Sequence, residues 1–277
     1  MTDLVVRRLL VDMEAPIEPL WCDGDAFRTA FLDALSMSFP VGEQFFIDAV
    51  RSGLQALPEE AQERFKSEVQ GFIGQEATHR RLHGLYNAHL ERLGLENRWA
   101  PQALERQELF EGTDPRHALA VTAAYEHFTA IFADWVLRRP HMLGQRDPRL
   151  ATLWLWHCAE EAEHRSTAFD LYRALGGDEE RRVRWFRRIT VFFIRDALAQ
   201  TVHNLRRSGH LWRWRTWPSA ASFLLGRDGL VRSAREAWRD YLRADFHPHQ
   251  HDASASQAWL EGNRANYAVV GEAPARA

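Results

Sequence analysis

Hydrophobic positions recur along most of this chain at steps of three and four, the spacing of a helix with one apolar face. The clearest run is Leu150, Trp154, His157, Glu161, His164, Ala168 and Leu171, an unbroken alternation of fours and threes. It predicts a helix opened by Asp147-Pro148 and closed by Gly176-Gly177, with an aspartate cap and a proline in the first turn. Asp114-Pro115 opens another helix in the same way, with Leu119, Thr122, Glu126, Ala133 and Val136 on one side and Pro140 at its end. Between Pro58 and Gly94 a stripe of Phe65, Val69, Phe72, Glu76, His79, His83 and Leu90 predicts a helix roughly 50 Å long at 1.5 Å per residue. Gly71 and Gly74 inside it point to close packing or a kink. Before it, Ala26 to Ser38 reads as a helix that Pro40 interrupts. Ser38 then caps a second helix carrying Glu43, Phe46, Ile47, Val50 and Leu54.

The pattern outside these four segments is less regular. Residues 1–24 read as irregular, with a short strand between Val5 and Val11. Residues 95–112 read as a weakly helical connector. Beyond Asp178, a helix is expected over Val183–Leu205 and another over 228–243, with a loose tail from about residue 271. The resulting expectation is an all-α four-helix bundle over 25–177, with a C-terminal helical extension over 178–270 packed on it as part of one domain.

Charge and composition narrow the options. The chain has 277 residues, 45% hydrophobic, with a net charge of −3. That gives no electrostatic case for binding nucleic acid. The two cysteines, Cys22 and Cys158, stand far apart in no metal or redox spacing. With no apolar signal segment and no run long enough to span a membrane, a cytoplasmic protein is expected. Arginine and tryptophan alternate in Trp212-Arg213-Trp214-Arg215-Thr216-Trp217. Packing against the bundle is the expectation for this segment, with a membrane-surface contact as the alternative.

The stripes carry charged residues where a helical core wants apolar ones. Glu43, Glu76, Glu126 and Glu161 each fall on an apolar face, and unpaired buried carboxylates must take up protons or cations. Glu76-Ala77-Thr78-His79 and Glu161-Ala162-Glu163-His164 add a histidine one turn after a glutamate on two of the helices. Residues so spaced lie about 5–6 Å apart, close enough to share a metal or span two. His157, one turn before Glu161, completes a set of seven: Glu43, Glu76, His79, Glu126, His157, Glu161 and His164. Four carboxylates balance two divalent cations. His83 fits better as a hydrogen-bonding support than as a ligand. Glu160 and Glu163 lie off the stripe and read as supporting or surface groups, and His127 as a packing residue.

Phe39-Pro40-Val41-Gly42-Glu43, Gly74-Gln75-Glu76-Ala77-Thr78-His79, Ala124-Tyr125-Glu126-His127-Phe128-Thr129-Ala130 and Trp156-His157-Cys158-Ala159-Glu160-Glu161-Ala162-Glu163-His164 resemble a ferritin-like family described as predicted metal-dependent hydrolases. Phe246-His247-Pro248 and Asp252 fit its C-terminal pattern. The ligand order is also similar to that of the di-iron arylamine N-oxygenases, which carry the extra histidine that His157 would match. On these grounds the first expectation is a di-iron monooxygenase. It would use two iron ions, dioxygen and an external electron donor or reductase to oxygenate a small or medium-sized apolar substrate. A two-metal hydrolase of esters or phosphoesters, with manganese or zinc, is the alternative, and a metal-binding protein without catalysis a third. A homodimer is expected by analogy with other bundles of this type.

Overall fold

The computed structural model describes residues 4–272, so the expected tail falls almost wholly outside the described residues. Among the described residues, ten α-helices, three short 3-10 helices and one two-stranded sheet make up the regular structure. Helices α1 (Ala26–Gln55), α2 (Glu59–Arg92), α4 (Pro115–Leu137) and α5 (Pro148–His164) form a four-helix bundle, with α6 (Thr167–Ala174) continuing beyond α5. Asp25, Asp114 and Asp147 cap their helices through Arg28 N, Arg116 N and Arg149 N, the last two with proline in the first turn.

Helix α1 departs from the expected break. It runs straight through Pro40, and Ser38 donates back to the Leu35 carbonyl rather than capping a new helix. Proline removes the donor that would reach the carbonyl of Ser36. The side-chain amide of Asn87 on α2 supplies it instead, at 2.9 Å. A tertiary contact thus satisfies the carbonyl that a lone sequence leaves orphaned.

The helix expected to run from Asp147 to Gly177 breaks instead at Arg165-Ser166, directly after His164. The C-terminal segment docks at this break. Arg165 donates to the carbonyls of Pro248 and His251, and Ser166 hydrogen-bonds His249. His247 in turn hydrogen-bonds Asp170 on α6 at 2.8 Å.

The connector contains helix α3 (Trp99–Glu108). Helix α7 (Glu179–Arg207) lies against α1 and α4, α8 (Thr216–Leu225) against α1, α9 (Leu230–Asp240) against α4, and α10 (Ser254–Gly262) against α5. Strand β1 (Arg7–Leu9) pairs antiparallel with β2 (Tyr267–Val269), Arg7 opposite Val269, which ties the two ends of the described chain together. The segment leading into β1 crosses α2 at its glycines: a Cβ on Gly71 would lie 2.5 Å from Leu4, and one on Gly74 2.4 Å from Val6. Close packing, not a kink, is what these glycines permit. The Trp/Arg segment does not pack as expected, because Trp212 and Trp214 are 89% and 74% exposed.

Two apolar clusters fill the interior. Helices α1, α2 and α4 each contribute to both, and α5 with its continuation α6 does so as a pair. Leu35 and Phe46 on α1, Leu82 and Phe72 on α2, and Ala133 and Ala124 on α4 fall in different clusters. Trp156 on α5 and Ala168 on α6 divide in the same way. The seven charged stripe residues lie between these positions on every helix, so the chain builds a polar layer between two hydrocarbon ones.

Candidate metal centre

Each bundle helix delivers its polar residues to that layer from an apolar face, so the carboxylates and imidazoles are buried by the packing that forms the helices. All seven predicted positions meet there, in two buried groups whose ligand atoms lie within 4.8 Å of one another. Glu43, His79 and His157 make one; Glu76, Glu126, Glu161 and His164 make the other. Glu161 links them. Its Oε1 lies 2.9 Å from Nε2 of His157, 3.4 Å from Nδ1 of His79 and 3.6 Å from Nε2 of His164.

The hydrogen-bond inventory shows what these atoms lack. Both carboxylate oxygens of Glu43, Glu76 and Glu126, Nδ1 of His79 and Nε2 of His164 are buried without a hydrogen-bond partner. So many orphaned polar atoms at one point in a core are far too costly to leave unsatisfied. They share one property: each is a lone-pair donor directed at the middle of the layer. Oxygen and imidazole donors of this kind suit iron, manganese or zinc, and four carboxylates offset two divalent cations.

The histidine partners set which nitrogen is free. Nε2 of His79 faces the Glu160 carboxylate at 3.0 Å, an obligate acceptor, so that nitrogen carries the proton and Nδ1 keeps its lone pair. Nδ1 of His164 faces Oε1 of Gln75 at 2.9 Å, which leaves Nε2 free. Gln75 is oriented by donating to Glu163 and to the Val5 carbonyl. For His157 the chain is longer. Nδ1 of His157 meets Nε2 of His83 at 2.7 Å; Nδ1 of His83 meets Ser36 Oγ at 2.9 Å; Ser36 donates to Oδ1 of Asn87 at 2.8 Å. Asn87 must present its oxygen here because its nitrogen is committed to the Ser36 carbonyl. Every proton in the line therefore points away from the centre, and Nε2 of His157 is left to face it. Such outer hydrogen bonds fix the ring and raise its basicity as a ligand.

Electrostatics agree with this geometry. Burial, reinforced by neighbouring carboxylates, pushes the Glu43, Glu76 and Glu126 carboxyls above the usual range. Burial opposes charging of His79, but the hydrogen bond to Glu160 and the nearby Glu161 and Glu76 carboxylates overcome it and lift the ring to about 10, so that without a metal Nδ1 takes up the proton a metal would displace. Burial likewise opposes ionisation of Glu161, and His164 and His157 outweigh it and hold the carboxyl well below its ordinary value. Left to itself the layer retains protons where cations would balance it.

The supporting role expected for Glu160 and Glu163 holds, and other contributors escaped the sequence pattern. Glu160 is fully buried on α5, hydrogen-bonded to His79 and to Arg7. Glu163, partly exposed, pairs with Arg7 and Gln75. Gln75, Ser36 and Asn87 gave no signal, because a polar residue beside a stripe looks like any surface residue. Arg7 lies in the short strand expected between Val5 and Val11, which is present as β1, but nothing in the pattern pointed to its contact with the layer. His83 is outside both ligand groups and acts as the support anticipated for it, while His127 turns away and hydrogen-bonds the Ala237 carbonyl.

A cavity of about 490 Å³ opens beside the layer between α1, α3, α4 and α7, with Phe45, Phe46, Trp99, Phe128 and Phe193 in its lining and Glu43 on its wall. Fold and site together define a ferritin-like helical protein with a centre able to hold two metal ions. Residues 5–252 match the family described as predicted metal-dependent hydrolase, and the chain belongs to that family. No curated protein and no solved structure matches it. Among the described residues no helix is long and apolar enough to cross a membrane.

Proposed function

We propose that the chain is an enzyme that holds two metal ions on Glu43, Glu76, His79, Glu126, His157, Glu161 and His164 and acts on an apolar organic substrate in the adjoining cavity. The position of Glu43 carries this reading: it belongs to one ligand group and to the cavity wall. A bound ion pair would supply Lewis acidity towards a substrate oxygen or, as redox-active iron, electrons for dioxygen chemistry. The protein's own residues do the rest. The cavity lining binds and orients an apolar body. Phe72 against His164, Trp156 against His79 and Phe39 against His157 exclude water from the centre. Glu160, Gln75 and His83 hold the three imidazoles in the tautomers that face inward.

The family description supports hydrolysis, of an ester-type bond given the apolar cavity, and this is the reaction class we adopt. It replaces the first expectation from sequence, oxygenation. Oxygenation stands as the second reading on one observation, the water-excluding set of four glutamates and three histidines with no aspartate among them. Metal analysis of the purified protein, followed by assay of p-nitrophenyl esters of increasing chain length, separates the two. Ester cleavage by zinc- or manganese-loaded protein, lost in Glu43→Ala, supports hydrolysis. Oxygen uptake by reduced, iron-loaded protein without ester cleavage would move the assignment to the oxygenase. Protein that binds no metal under either condition would remove both.

A further inference from the structure

Helix α7 buries one face and leaves the other bare. Phe186, Ile189, Ala197, Gln200 and Thr201 are buried against the bundle. On the opposite side Val191, Ile194, Leu198 and Val202 are 65%, 50%, 42% and 41% exposed. Their steps of three, four and four make one continuous stripe. At 100° per residue, Arg184, Arg187, Arg188, Arg195 and Arg206 fall within about 60° of Val191 on the same side. In the turn that follows α7, Trp212 and Trp214 are exposed as well and alternate with Arg213 and Arg215. From Ala197 to Arg227 the sequence contains no acidic residue. Asp196, just before, is buried and paired with Arg106 and Arg195. At the start of the stripe Glu180 shares this face and pairs with Arg184, and the neighbouring helix α3 carries Glu105 and Glu108, so the positive character belongs to the rest of α7, with Arg187, Arg188 and Arg206, and to its turn.

We propose that the outer face of α7 and the Trp/Arg turn rest on the surface of an anionic lipid bilayer. Aliphatic side chains with arginines interleaved and tryptophans at one end are the composition of a helix lying in the headgroup plane. A second copy of this chain fits worse. A two-fold interface sets a patch against itself, and here that would oppose arginine to arginine in the middle of the contact. Nucleic acid fits worse too, since four exposed aliphatic side chains offer nothing to phosphates. The arginines match an anionic surface, and the aliphatic stripe matches the acyl boundary below it. The inner side of the same helix contributes Ile189, Phe192 and Phe193 to the cavity, where Leu109 is itself 75% exposed. An apolar substrate dissolved in the bilayer thus has a short route to the centre. Only this last step rests on the cavity being the substrate site.

Flotation of the full-length, metal-loaded protein with vesicles tests the proposal. Vesicles of equal parts phosphatidylglycerol and phosphatidylcholine should carry the protein upward, and pure phosphatidylcholine should not. Replacing Arg213 and Arg215 by Ala should weaken partitioning about 30-fold, as loss of two surface arginines implies. Val191→Ser/Ile194→Ser and Trp212→Ser/Trp214→Ser should each reduce it while metal content and helical circular dichroism stay at wild-type levels. Since those two readouts report on the centre separately, a failed flotation overturns the membrane contact without touching the proposed reaction. The contact is also overturned if the lipid-free protein is a dimer that Ile194→Glu dissociates, or if a nucleic-acid duplex, but not the vesicles, binds this face.

Discussion

The amide of Asn87 donates to the carbonyl of Ser36 at 2.9 Å, four residues before Pro40. One contact therefore does two things. It lets α1 continue through a proline, and it turns Oδ1 of Asn87 towards Ser36 Oγ, the far end of the line that orients His157. A helix repair and a ligand tautomer share one side chain.

Asn87→Ala should loosen both. Loss of an outer hydrogen bond of this kind typically lowers metal affinity about 10-fold to 100-fold. His83→Ala, two steps nearer the centre, should fall in the same range and alter the spectrum of a cobalt- or iron-loaded centre. Titration of the metal-free variants, followed by elemental analysis, measures this. Wild-type affinity in His83→Ala would show that His157 is oriented by something else.

Glu161 stands between the two ligand groups, in reach of all three imidazoles. Glu161→Ala should lower the bound metal from two ions to one or none while helical content is largely kept. Full stoichiometry in this variant would remove Glu161 from the ligand set.

Arg7 reaches from β1 to Glu160 at 3.1 Å and to Glu163 at 2.6 Å, with its side chain 9% exposed. Removing one partner of a buried ion pair leaves the other uncompensated and costs about 3 kcal/mol or more. Arg7→Ala should therefore shift the urea midpoint down by a corresponding amount. It should also weaken metal binding, since Glu160 holds His79. A change under 0.5 kcal/mol, roughly the range of an ordinary surface substitution, would mean that the N-terminal strand is not part of the support.

Asp33 supplies a pH test away from the centre. Burial pushes its carboxyl up to about 7, against the hydrogen bonds it accepts from Tyr86 and Trp21. The folded state holds this proton more tightly than the unfolded chain, so folding stability contributed here is present below about pH 4. It is lost as pH rises through 7. Asp33→Asn cannot ionise. The difference in stability between variant and wild type should grow from pH 4 to pH 8 by something on the order of 3 kcal/mol. A difference independent of pH would show that Asp33 is ionised throughout.

Metal and protons compete for the same atoms. Glu43, Glu76 and Glu126 hold protons above the ordinary carboxylate range, and His79 and His164 above the ordinary imidazole range. Metal loading should release protons into a weakly buffered solution, and affinity should drop as the pH is lowered. Calorimetry in two buffers of different ionisation enthalpy reads the number released. No release would mean that the ligands are already deprotonated.

Sequence alone determined which residues could meet. A helix returns to the same face every third or fourth position, so Glu43, Glu76, His79, Glu126, His157, Glu161 and His164 could be picked out because each interrupts an apolar stripe with a group that water would otherwise keep. Capping aspartates before proline located the starts of two of the four helices to the residue for a similarly local reason. What lay beyond one helical turn could not be read this way. The passage of α1 through Pro40 depends on an amide from another helix. The break after His164 accompanies a segment more than 80 residues further on. Glu160, Gln75 and Arg7 acquire their roles only when strand, helix and ligand are brought together. Periodicity reports which side of a helix a residue occupies; only packing decides what it finds there.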